Sequence, residues 1–269
     1  MAIALEDSFS DVVGKAQRGL GLDDGELIAR SGISLPELHR IRAGHFEAVA
    51  LEKLAPVLGL DKRALLGLPD YRPEPVHVGG LWAFNTPWND MMVNSYLVWD
   101  SATGDAVAFD TGADCTPMLD AAREKGVAIR LILLTHTHGD HVFDLDRLAE
   151  RTGASAFGPS REPLEGAEPF DAGREFRCGQ LRIESRPTWG HSPGGTTFLI
   201  HGLERPVAVV GDALFAGSMG GANTAYADAL RNDRQQILSL SAETVLCPGH
   251  GPITTVGEEL RHNPFFAGR

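Results

Sequence analysis

The chain is poor in features that would set it apart from ordinary globular proteins. Its 269 residues include only three cysteines, Cys115, Cys178 and Cys247. They are odd in number and widely spaced, which excludes a disulfide framework and a CxxC metal site. Reduced thiols, at least one of them buried, are the expectation. No apolar run approaches the ~20 residues that a membrane span needs. Acids stand at Glu6 and Asp7, where a signal peptide would carry a basic start and an apolar stretch. A cytoplasmic protein with no membrane partner is expected. Basic residues are also short in supply: 24 Lys and Arg against 36 Asp and Glu give a net charge of −12. That balance argues against a general affinity for nucleic acid or anionic membrane. Internal repeats and low-complexity tracts are absent. What is present, 43% hydrophobic and 22% charged residues, suits one large soluble domain or one plus a small one.

Composition changes near residue 70, where Pro69, Pro73 and Pro75 suit an extended linker. The reading is therefore a small all-α domain over 1–70 and a second, α/β domain over 71–269. In the first, five short helices follow from periodicity and punctuation. Phe9, Val12, Val13 and Ala16 share a helical face. Asp23 or Asp24 caps a helix with Leu27, Ile28 and Ala29, ended by Gly32. Ser34 caps a third, with Leu35, Leu38 and Ile41 apolar. Leu51, Leu54, Ala55 and Leu58 make a fourth, and Asp61 caps Lys62 to Leu66. The stretch from Glu26 to Gly44 resembles the helix-turn-helix of the Cro/phage-repressor family, a resemblance covering about residues 9–68. It implies that the helix after Ser34 enters the major groove with Glu37, His39, Arg40 and Arg42 near DNA. Acids outnumber bases over the first 70 residues, and Glu37 would face phosphates. The expectation is therefore a helical bundle that dimerises or covers the second domain, with nucleic acid not a partner.

The second segment alternates β-rich runs with helical ones. Val76 to Phe84 reads as a strand. Asn94–Trp99 and Ala106–Asp110 flank a turn-rich connection. A helix follows over Cys115–Lys125, and then Ile129 to Thr135, nearly all apolar, as in a buried strand. Further strands are expected at Leu181–Pro187, Thr196–His201, Val207–Val210 and Thr244–Cys247, and a helix over Tyr226–Leu240.

Directly after the buried strand come His136, His138, Asp140 and His141. Imidazole and carboxylate are ligands of borderline divalent metals such as zinc. Four such groups in six positions would be costly in an ordinary core, where each unpaired one loses hydration. Three later residues share the setting of a glycine-flanked strand end: His191 before Ser192-Pro193-Gly194, Asp212 after Val207–Gly211, and His250 between Gly249 and Gly251. Glycine there lets the backbone bend so that side chains converge. All three join the candidate ligands. His39, His45, His77, His201 and His262 lack ligand-like neighbours and read as structural or exposed. Trp82, Phe84, Trp88, Met91 and Met92 surround a Pro/Asn loop that either packs the core or faces a substrate. Tyr226 reads as structural.

The ordered set His136, His138, Asp140, His141, His191, Asp212 and His250 resembles the metallo-β-lactamase superfamily over about residues 76–264. The resemblance implies an αββα sandwich. It also implies one metal at His136, His138 and His191, a second at Asp140, His141 and His250, and Asp212 bridging them. Zinc, two ions per chain, is the implied cofactor, with iron or manganese as other occupants. The implied enzyme is a hydrolase in which a metal-activated hydroxide attacks a carbonyl and Asp140 orients it. Gly190–Gly194, Gly211–Phe215 and the tail Gly257–Phe266 resemble the glyoxalase II-like group, which implies a small-molecule thioester or ester substrate. The sequence ends at Arg269 without that group's glutathione-binding C-terminal domain. Ala216 to Tyr226 replaces its arginine-containing segment. Other readings remain: a persulfide dioxygenase with one iron on His136, His191 and Asp212, a lactonase, or a ligand-sensing regulator acting through the helical module.

Overall fold

The computed structural model describes residues 3–268. Five helices open the chain: α1 (Phe9–Gly19), α2 (Asp24–Ser31), α3 (Leu35–Arg42), α4 (Ala48–Val57) and α5 (Lys62–Gly67). The first three begin with reciprocal capping boxes, Ser8 with Asp11, Asp23 with Glu26 and Ser34 with Glu37. Each satisfies amide N–H groups that a helix start leaves unpaired. Phe9, Val12, Val13, Ala16, Leu38, Ile41, Leu51, Leu54 and Ala55 face inward as their periodicity requires. In α2 only Leu27 is buried, and Leu35, the first residue of α3, is exposed. The cationic side chains of α3 are already engaged: Arg40 pairs with Glu47, and Arg42 donates to Asp24 at 2.9 Å and to Gln17 at 2.8 Å.

An extended stretch from Tyr71 leads into the first sheet, which runs in the order β1 (Leu81–Trp88), β2 (Met91–Trp99), β3 (Asp105–Phe109), β4 (Ala128–Leu133), β5 (Ser155–Pro159) and β6 (Glu168–Phe170). The strand expected from Val76 begins only at Leu81, where pairing to Val98 starts. Gly80, at φ +87°, turns the chain out of the extended conformation just before it. Helices α6 (Thr116–Lys125), α7 (Gly139–Val142) and α8 (Leu145–Thr152) lie between the strands in sequence.

The second sheet contains β7 (Glu175–Cys178), β8 (Leu181–Pro187), β9 (Thr196–His201), β10 (Val207–Gly211), β13 (Val245–Pro248) and β14 (Thr254–Thr255), in the order β14-β13-β10-β9-β8-β7. A hairpin of β11 (Leu214–Phe215) and β12 (Ser218–Met219), and helices α9 (Tyr226–Asn232) and α10 (Val256–His262), complete the chain. The helix expected to continue to Leu240 widens into a π turn over Asp233–Ile237.

Strand alternation sorts the core into layers. Tyr96, Val98, Val107, Phe109, Phe198, Ile200, Val207 and Val209 meet between the sheets. Their neighbours Leu97, Trp99, Ala106 and Ala108 face α6 and α8 with Met118, Ala122, Leu145 and Leu148. On the other side, Leu199, Ala208, Val210 and Leu246 pack in one continuous core with Tyr226, Ile237, Phe265 and the five N-terminal helices. The result is an αββα sandwich whose second sheet is covered in part by the helical region, since alternate residues point to opposite faces and both faces of each sheet carry apolar side chains that must be covered. Tyr226 is buried in this seam with its ring against Gly19, which is a structural role. All three cysteines are buried and free. Among the described residues no helix is long and apolar enough to cross a membrane.

Candidate metal centre

The site forms where strands of both sheets end. β4 runs out at Leu133 and hands the chain to His136, His138 and α7, which carries Asp140 and His141. The loop after β8 supplies His191, the end of β10 supplies Asp212, and the turn after β13 supplies His250. All seven sequence-designated residues meet here. None of the other five histidines joins a candidate metal cluster among the described residues.

The seven divide into two trios and a shared carboxylate. His136 Nε2 lies 3.1 Å, and His191 Nε2 3.0 Å, from His138 Nδ1. Asp140 Oδ2 lies 3.6 Å from His141 Nε2 and 3.3 Å from His250 Nε2. Within each trio the ligand atoms fall within 4.8 Å of one another. Asp212 reaches both trios: Oδ1 is 3.3 Å from His141 Nε2, and Oδ2 is 3.4 Å from His191 Nε2 and 3.5 Å from His250 Nε2.

Four rings are fixed from behind. His191 Nδ1 donates to the Gly221 carbonyl at 3.1 Å, His250 Nδ1 to the Met92 carbonyl at 2.7 Å, and His141 Nδ1 to Asp110 Oδ2 at 2.9 Å. Thr135 Oγ1 gives its proton to Asp110 at 2.8 Å and so accepts from His136 Nδ1 at 3.0 Å. These partners put the proton on Nδ1 and leave Nε2 free as the ligand atom. Asp110 is the functional residue that sequence reading passed over. It holds His141 and Thr135 together from a left-handed backbone, φ +55°, that a non-glycine residue adopts only under constraint. Its signal was the one that marked the others, an acid ending an apolar strand ahead of a glycine, at Asp110-Thr111-Gly112.

Two glycines permit this crowding. A Cβ on Gly249 would stand 2.1 Å from Asp212 Oδ1, and one on Gly220 1.9 Å from the Asp212 carbonyl oxygen. The segment Ala216–Tyr226 is thus part of the site's wall. The turn bearing His250 is tied to the first sheet by Asn94, whose side chain donates to the Pro248 and Gly251 carbonyls at 2.9 and 2.8 Å.

The donor set fits a divalent cation. His141 Nε2 and Asp212 Oδ1 are buried without a hydrogen-bond partner, a costly arrangement unless a cation satisfies both. The electrostatics agree. Burial opposes charge on His141 and His250, yet the carboxylates around them push the two pKa values up to about 10 and about 11. Burial would raise Asp212, but His141 and His250 hold it well below the usual carboxylate range. The second trio therefore demands positive charge. In the first, burial and neighbouring imidazoles lower His136 and His191, keeping them neutral donors.

An apolar rim stands beside the centre. Trp88 and Phe143 rings meet at 5.0 Å, and Phe143, Met91 and Met92 are exposed. Of the loop aromatics, Trp82 and Phe84 pack partly against the outer core.

Comparison with known proteins agrees with this geometry. The hydroxyacylglutathione hydrolase GloC of Haemophilus influenzae is 28% identical over 198 residues, covering 64% of this chain and 92% of that protein. The structure of ETHE1 from Myxococcus xanthus superposes with a TM-score of 0.60 at 27% identity, over 70% of this chain and 85% of that one. TTHA1623 in a di-iron-bound form matches at a TM-score of 0.50 and 29% identity, over 68% and 99%. The family described as the metallo-beta-lactamase superfamily matches residues 88–250, from the end of β1 to the last candidate ligand, and the chain belongs to it.

Proposed function

We propose that the protein is a dinuclear zinc hydrolase that cleaves a small-molecule thioester or ester. The observation that carries this reading is the pair of trios joined by Asp212, with unsatisfied buried donor atoms aimed between them. Five imidazoles and two carboxylates suit zinc. The class of bond comes from the likeness to GloC, a protein named for hydrolysis of an acylglutathione.

Bound divalent ions would supply Lewis acidity that polarises a carbonyl and acidifies water. The chain's own residues do the rest. Asp110, Thr135 and the Met92 and Gly221 carbonyls lock the rings, so that little reorganisation accompanies reaction. Asp140 keeps some solvent access, 13%, against 4% for His250 and none for His141. Its carboxylate is placed to orient an attacking water and to hold the proton that water gives up. Trp88, Met91, Met92 and Phe143 offer an apolar surface to the acyl group and thin the water around it. A thiolate leaves without needing a strong acid to protonate it.

The test is thiol release from a panel of acyl thioesters, with lactones alongside, by zinc-loaded protein. Turnover should fall by about 10²–10⁴-fold in Asp140→Asn, the range for losing a positioned proton acceptor. Hydrolysis confined to lactones would make the protein a lactonase. The persulfide dioxygenase is the second reading, favoured by the likeness to ETHE1 and by the approach of His191 to Asp212 beside His136. One iron per chain with persulfide-dependent oxygen uptake would establish it. The helical module we read as a cover for the sandwich, since its α3 arginines are paired within the module. Anisotropy of labelled duplex DNA at low salt should stay flat.

A further inference from the structure

The carbonyl that orients His191 belongs to a weak element. Gly221 follows the β11–β12 hairpin, whose strands are two residues each and which, among the described residues, pairs with neither large sheet. An isolated two-stranded hairpin is marginally stable in water, and Gly217, Gly220 and Gly221 add chain entropy that folding must remove. Yet this segment has to be placed closely. A Cβ on Gly220 would stand 2.9 Å from His191 Nδ1, and the Gly221 carbonyl accepts from that nitrogen at 3.1 Å. A shift of the hairpin therefore turns or frees a candidate metal ligand.

Side chains from elsewhere hold the hairpin. Glu259 of α10 accepts from the Gly217 amide at 2.9 Å, and Asn263 donates to the Ser218 carbonyl at 2.7 Å. The helical module supplies two charges. Lys15 of α1 donates to the Met219 carbonyl at 2.9 Å, two residues before Gly221, and lies 5.0 Å from the centroid of the Phe215 ring. Asp7, just ahead of α1, accepts from Lys15 and from the Ser218 hydroxyl. The Lys15 and Asp7 side chains are exposed by only 16% and 8%. A pair so desolvated adds little net stability, but breaking it strands a charge, so it fixes position more than it adds strength. The position it fixes is that of the Ser218–Met219 backbone, directly ahead of the two glycines at His191.

We propose that Asp7 and Lys15 are positioning residues for His191: they hold the β11–β12 hairpin where the Gly221 carbonyl meets the ring, which makes the helical module a working part of the first metal trio. Neither residue belongs to a candidate metal cluster; both act through the hairpin. The role depends on metal binding at the first trio and not on the reaction that the ions serve. It sets His191 apart from the other buried rings. His136 is held by Thr135 and His141 by Asp110, both at the ends of first-sheet strands.

The test uses the full, isotope-labelled chain saturated with zinc, in which NMR follows solvent exchange of the Nδ1 protons of the ligand histidines. Asp7→Asn combined with Lys15→Met removes both charges at once, so that neither is stranded, and keeps an acceptor for Ser218 and a stem over Phe215. In this double variant the His191 proton should exchange about tenfold faster, the scale of one hydrogen bond, with the His136 and His141 protons unchanged. Zinc at the first trio, titrated against a chromophoric chelator, should bind about 10–100-fold more weakly, and zinc at the second trio as before. A His191 proton that does not change, or equal changes at all three rings, would each overturn the proposal. Should the double variant not fold, Ser218→Ala decides: faster exchange at His191 alone sustains the proposal, and unchanged exchange overturns it. The His191 effect in a protein that cleaves no thioester or ester would sustain the positioning role and defeat the hydrolase reading. Hydrolysis with His191 unaffected would do the reverse, and a chain that takes up no zinc would overturn both.

Discussion

The two trios use the same kinds of side chain in different surroundings. In the first, His136 is buried, His138 is exposed and His191 is intermediate. In the second, His141 and His250 are both buried, and Asp140 adds a charge. The first trio is more open, and burial and neighbouring rings lower the pKa of its His136 and His191. The second is closed, and its carboxylates push His141 and His250 up to about 10 and 11 against burial. The difference separates two jobs. A more open trio leaves room for a substrate to approach, whereas a closed, charged one suits a cation and braces the surrounding structure. Asp212 binds the two jobs together.

Substitutions test that division. His138→Ala should lower turnover by about 10²–10⁴-fold with little change in melting temperature, because its ring is on the surface of the site. His141→Ala should abolish turnover as well, and should also destabilise the fold by about 3–5 kcal/mol, since it empties a fully buried ring site and removes one of the donors to Asp110. Equal melting temperatures for the two variants would break the comparison. Asp110→Asn sharpens it. The side chain keeps its shape but loses the charge facing His141 Nδ1, so metal should bind about 10–100-fold more weakly. Chelator titration should release the ion of the second trio first, and simultaneous release of both would contradict the assignment.

The smallest effect lies away from both trios, where Glu259 braces the hairpin next to Asp7. It is fully buried and accepts from Tyr71 at 2.9 Å, Thr254 at 2.8 Å, the Gly217 amide at 2.9 Å and Asn263 at 2.9 Å. Burial nevertheless pushes its pKa up to about 7 from 4.5. A carboxyl with a raised folded pKa stabilises the protein fully below its unfolded pKa and loses that contribution as pH rises through 7. Melting temperature should therefore drop by a few degrees between pH 5 and 8, and Glu259→Gln should flatten the slope. A slope that persists in this variant assigns it to other groups.

Much of this was legible because the signals were local. Asp23, Ser34 and Asp61 stand directly ahead of the helices they cap, and a strand reads out over Val207–Val210 because its run is apolar throughout. Of the seven candidate ligands, four stand out as a dense run directly after a buried strand, and His191, Asp212 and His250 share one mark, a polar residue at a glycine-flanked strand end. What stayed hidden depends on contacts between distant segments. The Met92 and Gly221 carbonyls that fix His250 and His191 are backbone atoms, which no residue type betrays. Asp110 carries the local mark, but its role needs His141 to fold back against it. The π turn at Asp233–Ile237 interrupts a sequence whose apolar spacing favours a continuous helix.

The most direct test of the central claim is the metal content of the full chain, purified without chelator and then equilibrated with zinc near neutral pH. The account predicts two zinc ions per chain, falling to about one in His141→Ala. A protein that retains no metal under these conditions, or that holds a single iron and excludes zinc, would contradict it.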